Sequence, residues 1–326
     1  MAKALGGEII NTDSVQVYKG LDVGAAKASL EEQQGVPHHL MDLVLPTVDY
    51  TYEQFLAESR AATEEILSKG KVPIVIGGTG MYMRWYMQNR QGITSHPFPG
   101  EDTEGLTDHL TEWDYDFQCY FLYQHRADLY PHVDIRCEQM IPELLKETSW
   151  LLDLGVRPSS NTAAKAIGYE EAMHLLLEAR GNDGVVSEER FLSFLSDFQH
   201  NSKNLVRKQI TWFRSSERSD VRKFRWVQAG QPVEHMVELL ANEYRKAPGT
   251  PPSDFSSGEI LKLASLKEQK RMKNYKPEFK VYSKSEAVTS ALEWIRASQA
   301  PYASSLPNGI RISSLHDQPL QLQSKL

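Results

Sequence analysis

Apolar and polar positions along the first hundred residues predict strands and helices in alternation. Short apolar strands are predicted over 8–11 and 72–76, and the second is followed directly by Gly-Gly-Thr-Gly. Between them, Phe55, Ala62 and Ile66 fall on one stripe of a helix predicted over 52–68 that ends at Gly70. Another helix is predicted from Met81. Strands that alternate with helices indicate a parallel sheet with helices on both faces.

The alternation resumes after residue 116. The same patterns predict strands over 118–123 and 223–227, and helices over 126–140, over 143–153 and from Ser187 onward. The last of these helices carries an apolar stripe of Phe191, Phe194, Phe198, Leu205, Ile210 and Phe213. Near the end of the chain, Ser283 and Glu286 have the spacing of a capping box. They predict the start of an amphipathic helix with Val288, Leu292 and Ile295 on its buried side.

Composition divides the chain into four predicted segments. They are a partial α/β core over 1–93, an acidic connection over 94–116, the remainder of the core over 117–246, and a linker, basic tail and amphipathic helix over 247–326. The connection has seven acids and no Lys or Arg within 101–116, and the linker at 247–258 is rich in Pro, Gly and Ser. The opening MAKALGGEII has the pattern of a helix end followed by a strand, which predicts an N-terminally truncated core.

Charge and composition exclude several classes of protein. No apolar run approaches the length of a membrane span, and Cys119 and Cys137 are too few for a disulfide scaffold or a zinc finger. The formal net charge of −7 argues against nucleic-acid binding. However, residues 200–225 carry eight Lys or Arg against two acids, so the basic charge is concentrated in one segment. That segment is a candidate for RNA binding despite the negative net charge of the chain.

Candidate chemistry lies directly after two of the strands. Asp13 follows the first strand and Thr79 follows the second, and ligands of such sheets bind outside the carboxyl ends of the strands. Asp13 is a candidate general base or a turn residue, and Gly77–Gly80 is a candidate phosphate loop or a simple tight turn. Gln16 has the amide that pairs with an adenine edge. Lys27 either faces a phosphate or is solvated.

The long helix predicts a second kind of contact. Lys203, Arg207, Arg214 and Arg218 share one face at helical spacing, while Val206, Ile210 and Phe213 share the buried one. Aromatic residues interleaved with a basic stripe suit single-stranded RNA, although a solvated basic helix has the same pattern. Lys165, just before Ala-Ile-Gly-Tyr, is within reach of a phosphate. The ten histidines show no metal-ligand spacing, so no metal site is assigned to the protein alone.

Taken together, the motifs resemble the tRNA dimethylallyltransferase (tRNA isopentenyltransferase) family. The matching blocks, in the family's order, are DSVQVYKGLDVGAAK, PHHLMDL, VPIVIGGTGMY, WLLDLG with AIGY, and NLVRKQITWFR. WLLDLGVRP and the extended tail look most like the plant organelle-type branch. The resemblance implies an α/β fold with a P-loop-NTPase-like parallel sheet and flanking helices. Here that fold lacks the N-terminal phosphate-loop unit and has a helical C-terminal extension.

The resemblance also implies a reaction, in which a dimethylallyl group passes from dimethylallyl diphosphate to N6 of an adenine beside the tRNA anticodon. Asp13 would be the base, and Thr79 would help to hold the diphosphate and its Mg²⁺ cofactor. The implied diphosphate contacts are Gly77, Gly78, Thr79, Gly80, Lys27 and Lys165. The implied tRNA contacts are Asp13, Ser14, Val15, Gln16, Lys165, Gly168, Tyr169, Arg207, Lys208, Gln209, Thr211, Trp212 and Arg214.

The sequence departs from the family pattern in three places. It has no Gly-x-x-x-x-Gly-Lys-Ser/Thr loop, the acidic connection stands where the family has a helical arm that grips the anticodon stem, and Lys165 stands where many relatives carry Arg. Three alternatives therefore stay open: an inactive relative that only binds RNA, an adenylate isopentenyltransferase of cytokinin biosynthesis, and another phosphotransferase.

The setting of the protein is predicted only coarsely. We expect a monomer with no membrane partner. The compartment is cytoplasmic by default, while the family branch suggests mitochondrion or plastid.

Overall fold

Two small parallel sheets and the helices around them make up the computed structural model of this chain. It describes residues 1–88, 115–214, 224–230, 232–246 and 268–305, together with Thr250 and Leu266. Nearly all of the acidic connection, and the linker predicted at 247–258 apart from Thr250, lie outside these residues. The predicted α/β class, a parallel sheet with flanking helices, is confirmed.

The first sheet sets the position of the candidate site. Its strands are β1 (Gly7–Asn11), β2 (His38–His39) and β3 (Val72–Ile76), in the order β2-β1-β3 and all parallel. Asn11 lies opposite Ile76, so the carboxyl ends of β1 and β3 are side by side. The polar residues that follow the two strands are thereby brought together, as the order of elements predicted.

A buried carboxylate lies within the same sheet. Glu8 of β1 accepts a hydrogen bond from Lys71 Nζ at 2.6 Å, and its other oxygen lies 2.7 Å from His39 Nε2 and 3.5 Å from Lys69 Nζ. These partners lower the pKa of Glu8 to about 2, with the Lys71 hydrogen bond as the largest cause. Glu8 therefore remains ionised at neutral pH and ties both neighbouring strands to β1.

Four helices accompany this sheet: α1 (Ala2–Leu5), α2 (Leu30–Gln33), α3 (Tyr52–Ser68) and α4 (Gly80–Gln88). The predicted bounds of α3 are confirmed, because a local signal fixes its start. Thr51 accepts from the backbone of Gln54, whose side chain accepts from the backbone of Thr51 in return. Phe55 and Ile66 are fully buried on the predicted stripe. Gly70 follows the helix in a left-handed conformation with φ of 67°.

The second sheet has two parallel strands, β4 (Tyr120–Tyr123) and β5 (Arg225–Gln228), in which Phe121 lies opposite Trp226. Both strands begin two residues later than the sequence predicts. Three longer helices follow β4 along the chain: α5 (Arg126–Asp153), α6 (Tyr169–Arg180) and α7 (Glu188–Arg214). After β5 comes α8 (Val233–Tyr244), and near the end of the described chain α9 (Ser285–Gln299) and a 3₁₀ helix (Ala300–Ser305).

Two expectations for the long helices are wrong. The pair predicted over 126–140 and 143–153 is one continuous helix, α5, that passes through Pro142. Ile141, Leu144 and Leu145 are fully buried around that proline, and their packing holds the helix together where one N–H donor is missing. On α7 the predicted stripe is buried except for Leu205, which is 44% exposed.

The described chain divides into two compact units. The first contains the described residues within 1–132 and 203–276, and the second contains those within 133–202 and 277–305. Inside the second unit α9 packs against α6, so the C-terminal helix belongs to this unit. The predicted capping box at its start is not formed, because the Ser283 hydroxyl donates to the Lys280 carbonyl and α9 begins after Lys284.

A second buried carboxylate fastens this C-terminal part. The Glu138 side chain accepts from three successive backbone N–H groups, those of Lys280, Val281 and Tyr282, at 2.6–3.0 Å. Both groups of residues lie in the second unit. Charge-assisted bonds of this kind stabilise more than neutral ones, so Glu138 is a main anchor of the segment before α9.

Among the described residues, no helix combines the length and the apolar character that a membrane crossing requires.

Candidate active site

A tight polar turn after β1 holds the Asp13 carboxylate. Its Oδ1 accepts from the backbone N–H of Val15 at 2.8 Å and of Gln16 at 3.4 Å, while Asn11 Oδ1 accepts from the backbone N–H of Asp13 at 3.0 Å. Burial raises the pKa of Asp13, and the two backbone hydrogen bonds lower it by less. The carboxylate is therefore fixed in direction and more basic than an exposed aspartate.

Asn11 and Thr12 shape this turn, and the sequence analysis did not single them out. Asn11 Nδ2 donates to the Leu40 carbonyl at 3.0 Å and to the Asp13 carbonyl at 3.2 Å. Thr12 is fully buried, and its hydroxyl makes no hydrogen bond within the described chain. Their signal in the sequence is the run of three polar residues directly after an apolar strand.

The glycine loop after β3 lies against this turn. The backbone N–H of Ser14 donates to Thr79 Oγ1 at 3.4 Å. A Cβ added at Gly77 would lie 2.7 Å from the Thr12 carbonyl carbon and 3.0 Å from the Asp13 nitrogen, so only glycine fits there. Because α4 begins at Gly80, the loop presents the positive end of a helix beside Asp13. The turn that carries Asp13 and the loop that carries Thr79 are thus in contact.

Helix α7 closes one side of the glycine loop. Gln209 Nε2 donates to the Gly78 carbonyl at 3.1 Å. A Cβ on Gly80 would lie 2.6 Å from atoms of the Trp212 indole, so the indole packs directly on the backbone at that position. Gln209 and Trp212, expected as tRNA contacts, are therefore in contact with the proposed diphosphate loop, and they connect the basic helix to it.

The exposed part of α7 is basic, but it includes only part of the face that the sequence predicts. Arg207, Lys208 and Arg214 are exposed, together with Thr211. Lys203 was expected on the same face but is only 9% exposed, and its ammonium lies 5.6 Å from the centre of the Tyr275 ring. Arg218 lies outside the described residues. The accessible basic face is therefore confined to the last two turns of α7.

Two other predicted contacts are used inside the first unit. Gln16 Nε2 donates to the Ala25 and Ala26 carbonyls at 3.1 and 3.3 Å, so its amide nitrogen holds the loop closed. Lys27 is 4% exposed, and its ammonium donates to the Tyr18 carbonyl and to the carboxylates of Asp22 and Asp42. All three of its N–H donors have partners, so Lys27 is placed as a structural tie and not as a phosphate ligand.

The remaining predicted residues belong to the second unit. Lys165 is exposed. Gly168 and Tyr169 are buried: the Gly168 N–H donates to Glu171, and the Tyr169 hydroxyl donates to Glu147 Oε2 at 2.6 Å. Gly168 has a φ of 94°, and a Cβ there would lie 2.8 Å from the Phe198 ring. The AIGY motif is therefore a packed turn, and of these three residues only Lys165 is exposed.

Within the described residues no three His, Cys, Asp or Glu side chains are grouped as metal ligands. The polar groups beside Asp13 are instead hydroxyls and backbone N–H groups.

The chain is similar to known proteins over most of the residues described above. The family model described as IPP transferase matches residues 16–112 and 94–216, which include the Gly77–Gly80 loop and α7. The chain is 32% identical to tRNA dimethylallyltransferase 9 of Arabidopsis thaliana, over 91% of this chain and 82% of that protein.

Solved structures of low sequence identity share the fold. A tRNA delta(2)-isopentenylpyrophosphate transferase of Staphylococcus epidermidis matches with a TM-score of 0.60 and 23% identity, over 76% of this chain and 93% of that one. A eukaryotic dimethylallyltransferase acting on tRNA matches with a TM-score of 0.62 and 18% identity, over 82% of this chain and 80% of that one.

Proposed function

We propose that this chain, which belongs to the IPP transferase family, transfers a dimethylallyl group from dimethylallyl diphosphate to N6 of an adenine next to a tRNA anticodon. Membership rests on the family model, which matches more than half of the chain, and on the Arabidopsis relative. The names of the matched proteins describe enzymes that act on tRNA, which favours this reaction over transfer to a free adenine nucleotide.

One observation carries the proposal. A half-buried, oriented carboxylate, Asp13, lies directly beside a glycine loop at a helix N-terminus, and the two are joined by the contact between Ser14 and Thr79. The carboxylate suits the removal of a proton, and the loop suits a diphosphate. Transfer of an alkyl group from a diphosphate to an amine requires a base near the amine and a loop that holds the diphosphate. The two must lie close enough to act on the same reacting carbon.

The reaction balances with these groups. The N6 lone pair of adenine forms a bond to C1 of the dimethylallyl group, the bond from C1 to the diphosphate oxygen breaks, and that oxygen keeps the electron pair. The proton leaves N6 for Asp13. An aromatic amine is a weak nucleophile, so a base with a raised pKa assists it. The loop N–H groups and the Thr79 hydroxyl stabilise the charge that develops on the diphosphate.

Mg²⁺ fits this site as a companion of the diphosphate. The Thr79 hydroxyl beside the helix N-terminus is a hard oxygen ligand, and Mg²⁺ commonly binds through one or two protein oxygens together with substrate phosphates and water. Bound there, Mg²⁺ would neutralise the negative charge of the leaving diphosphate. We propose that Thr79 is its protein ligand. Lys165 is exposed in the second unit, and we propose it as a contact for a tRNA phosphate.

The RNA side of the site is the exposed basic end of α7. Arg207, Lys208 and Arg214 are exposed there, while Gln209 and Trp212 of the same helix touch the glycine loop. Phosphates held by this face would bring an unpaired adenine towards Asp13. We therefore keep the exposed residues of α7 as tRNA contacts, and we assign structural roles to Gly168, Tyr169 and Lys27.

The proposal is tested by incubating the protein with labelled dimethylallyl diphosphate and, in separate reactions, unmodified tRNA or adenosine monophosphate. Label in tRNA alone is expected. Label in the mononucleotide would favour a cytokinin-forming enzyme. Absence of label from both, while a relative with a complete phosphate loop labels the same tRNA, would identify a catalytically inactive chain. Its RNA affinity and salt dependence would then separate an RNA binder from an inert protein.

We further propose that the protein acts as a monomer, which sedimentation at several concentrations tests. Its compartment is cytoplasmic by default, with mitochondrion or plastid as the alternatives that the family branch suggests. Imaging of the tagged full-length gene product distinguishes them.

A further inference from the structure

An aromatic cluster lies on the two-stranded sheet of β4 and β5, where Phe121 and Trp226 are opposite each other and Tyr123 is the last residue of β4. The Trp226 ring lies 5.6 Å from Tyr123 and 4.4 Å from Phe121, measured between ring centres. The guanidinium carbon of Arg214 lies 5.3 Å from the centre of the Trp226 ring and 5.5 Å from that of Tyr123. The Arg214 cation therefore lies over two aromatic rings of this cluster.

Part of this cluster is accessible. Arg214 is exposed and Trp226 is partly exposed, whereas Tyr123 beneath them is buried. The Tyr123 hydroxyl lies 3.1 Å from Nδ1 of the partly exposed His125, which fixes the tyrosine ring in place. Within the described residues Arg214 forms no ion pair with a carboxylate, in contrast to Arg225 on the same sheet, which is paired with Glu243. An accessible indole beside such a guanidinium suits a ligand that is both flat and anionic.

The cluster is continuous with the proposed active site inside the first unit. Trp212 packs on Gly80 of the glycine loop, and its ring centre lies 4.6 Å from that of Phe213. Phe213 in turn lies 4.7 Å from Phe121, the neighbour of Trp226. The last turn of α7 thus connects the glycine loop to the aromatic cluster through direct ring contacts.

We propose that Trp226 and Arg214 form a stacking platform for an unpaired RNA base next to the reactive adenine. Every base offers a π face to an indole, and a guanidinium both stacks on rings and neutralises a backbone phosphate. A base inside a duplex has both faces covered by its neighbours, so the platform suits an unpaired base that has left the stack. The proposal rests on the tRNA reaction proposed above, but it concerns binding and is testable without transfer.

The test measures the dissociation constant of an anticodon stem-loop RNA for the intact chain and three variants. Trp226→Leu keeps apolar volume and removes the π system, and it is expected to weaken binding by about tenfold or more. Trp226→Phe retains a π face, so its affinity stays within about threefold of that of the unaltered protein. Arg214→Ala also weakens binding and lowers the salt slope by about one phosphate contact, whereas Trp226→Leu leaves the slope unchanged.

Two further measurements separate stacking from a structural effect. Urea unfolding of Trp226→Leu is compared with that of Trp226→Phe, so that loss of folding is recognised. The RNA is also tested with single abasic sites beside the adenine. When the missing base is the one that stacks on Trp226, the unaltered protein should bind the RNA more weakly. Its affinity should then equal that of Trp226→Leu.

The platform would be refuted if folded Trp226→Leu bound RNA within twofold of the unaltered protein. It would also be refuted if the unaltered protein bound every abasic RNA more tightly than Trp226→Leu does. An unaltered protein that does not bind RNA would refute it as well. Affinity for dimethylallyl diphosphate serves as the internal control and is expected to be the same in all three variants. If transfer activity is absent but Trp226→Leu still binds the RNA more weakly, the stacking proposal is supported and the proposed reaction is refuted.

Discussion

Replacement of Asp13 by asparagine separates the chemical role of this side chain from its structural one. The carboxylate holds the turn after β1 through one oxygen, Oδ1, which accepts from Val15 N at 2.8 Å and from Gln16 N at 3.4 Å. An asparagine carbonyl oxygen accepts the same two hydrogen bonds and is equally suited to such a turn. What Asp13→Asn removes is the ability to take a proton.

The magnitudes of the two effects differ widely. Loss of a general base slows the chemical step by about 100- to 10,000-fold, which corresponds to roughly 3–5 kcal/mol. The effect on folding is small, and it favours the variant: the substitution is expected to leave the free energy of unfolding unchanged or to raise it. Burial raises the pKa of Asp13, so the ionised form costs stability as pH rises from the unfolded value through the folded one. Asparagine removes that cost, and we expect the free energy of unfolding to stay equal or to rise by about 1 kcal/mol at neutral pH.

The assay is single-turnover transfer from labelled dimethylallyl diphosphate to unmodified tRNA, because this regime reports chemistry and not product release. The unaltered enzyme should gain rate with rising pH as Asp13 ionises, with a midpoint above the ordinary value of 3.8. For Asp13→Asn, the transfer rate should no longer rise with pH in this range. Asp13→Ala serves as the comparison, since it loses both the base and the turn and should also be destabilised by about 1–2 kcal/mol.

A transfer rate for folded Asp13→Asn within tenfold of that of the unaltered enzyme would refute the assignment of the base. A loss of activity that only parallels a loss of folding would refute it as well, since the turn and not the proton would then be the cause.

Three further predictions concern the framework of the site. Glu8→Gln should lower the free energy of unfolding by about 1–3 kcal/mol, since the charge-assisted bond to Lys71 is lost. This deficit should disappear as pH falls from 4.5 towards 2, where Glu8 itself is protonated. Gly80→Ala should displace Trp212, cost about 1–3 kcal/mol in urea unfolding and weaken binding of dimethylallyl diphosphate. Glu138→Gln should increase hydrogen exchange at residues 280–282 and beyond into α9 by about tenfold or more.

The predictions for Gly80 and Glu138 each have a matched control variant. Gly78→Ala meets only the end of the flexible Gln209 side chain, so it should cost less stability than the change at Gly80. Glu143→Gln alters a carboxylate that is 53% exposed on the same helix as Glu138, and it should leave exchange unchanged. A Glu8→Gln deficit that is the same at pH 7 and near pH 2 would contradict the cluster described here.

The sequence predicts elements well where the signal is local. The bounds of α3 follow from its capping pair and apolar stripe. The contact between the turn after β1 and the loop after β3 follows from the rule for parallel strands. The capping box predicted at Ser283 has the right residues but does not form, because the backbone before α9 is held by Glu138 and not by local bonds. Local pattern and tertiary contact compete there, and the tertiary contact prevails.

Long-range contacts decide the parts that the sequence does not predict. Gln209 and Gly78 are 131 positions apart, and nothing in either motif indicates that they meet. Lys203 has the spacing of an exposed basic face but is buried against Tyr275, a residue from a segment with no predicted element. Pro142 normally ends a helix, yet the buried side chains around it keep α5 continuous.

The most direct test of the account is the identity of the modified nucleoside. After reaction with dimethylallyl diphosphate, the tRNA is digested and its nucleosides are identified by mass spectrometry, for the unaltered chain and for Asp13→Asn. We predict N6-dimethylallyl adenosine from the position beside the anticodon with the unaltered chain, and at least 100-fold less with the variant. Unmodified adenosine at that position, in tRNA that the protein binds and that an active relative modifies, would contradict the central claim.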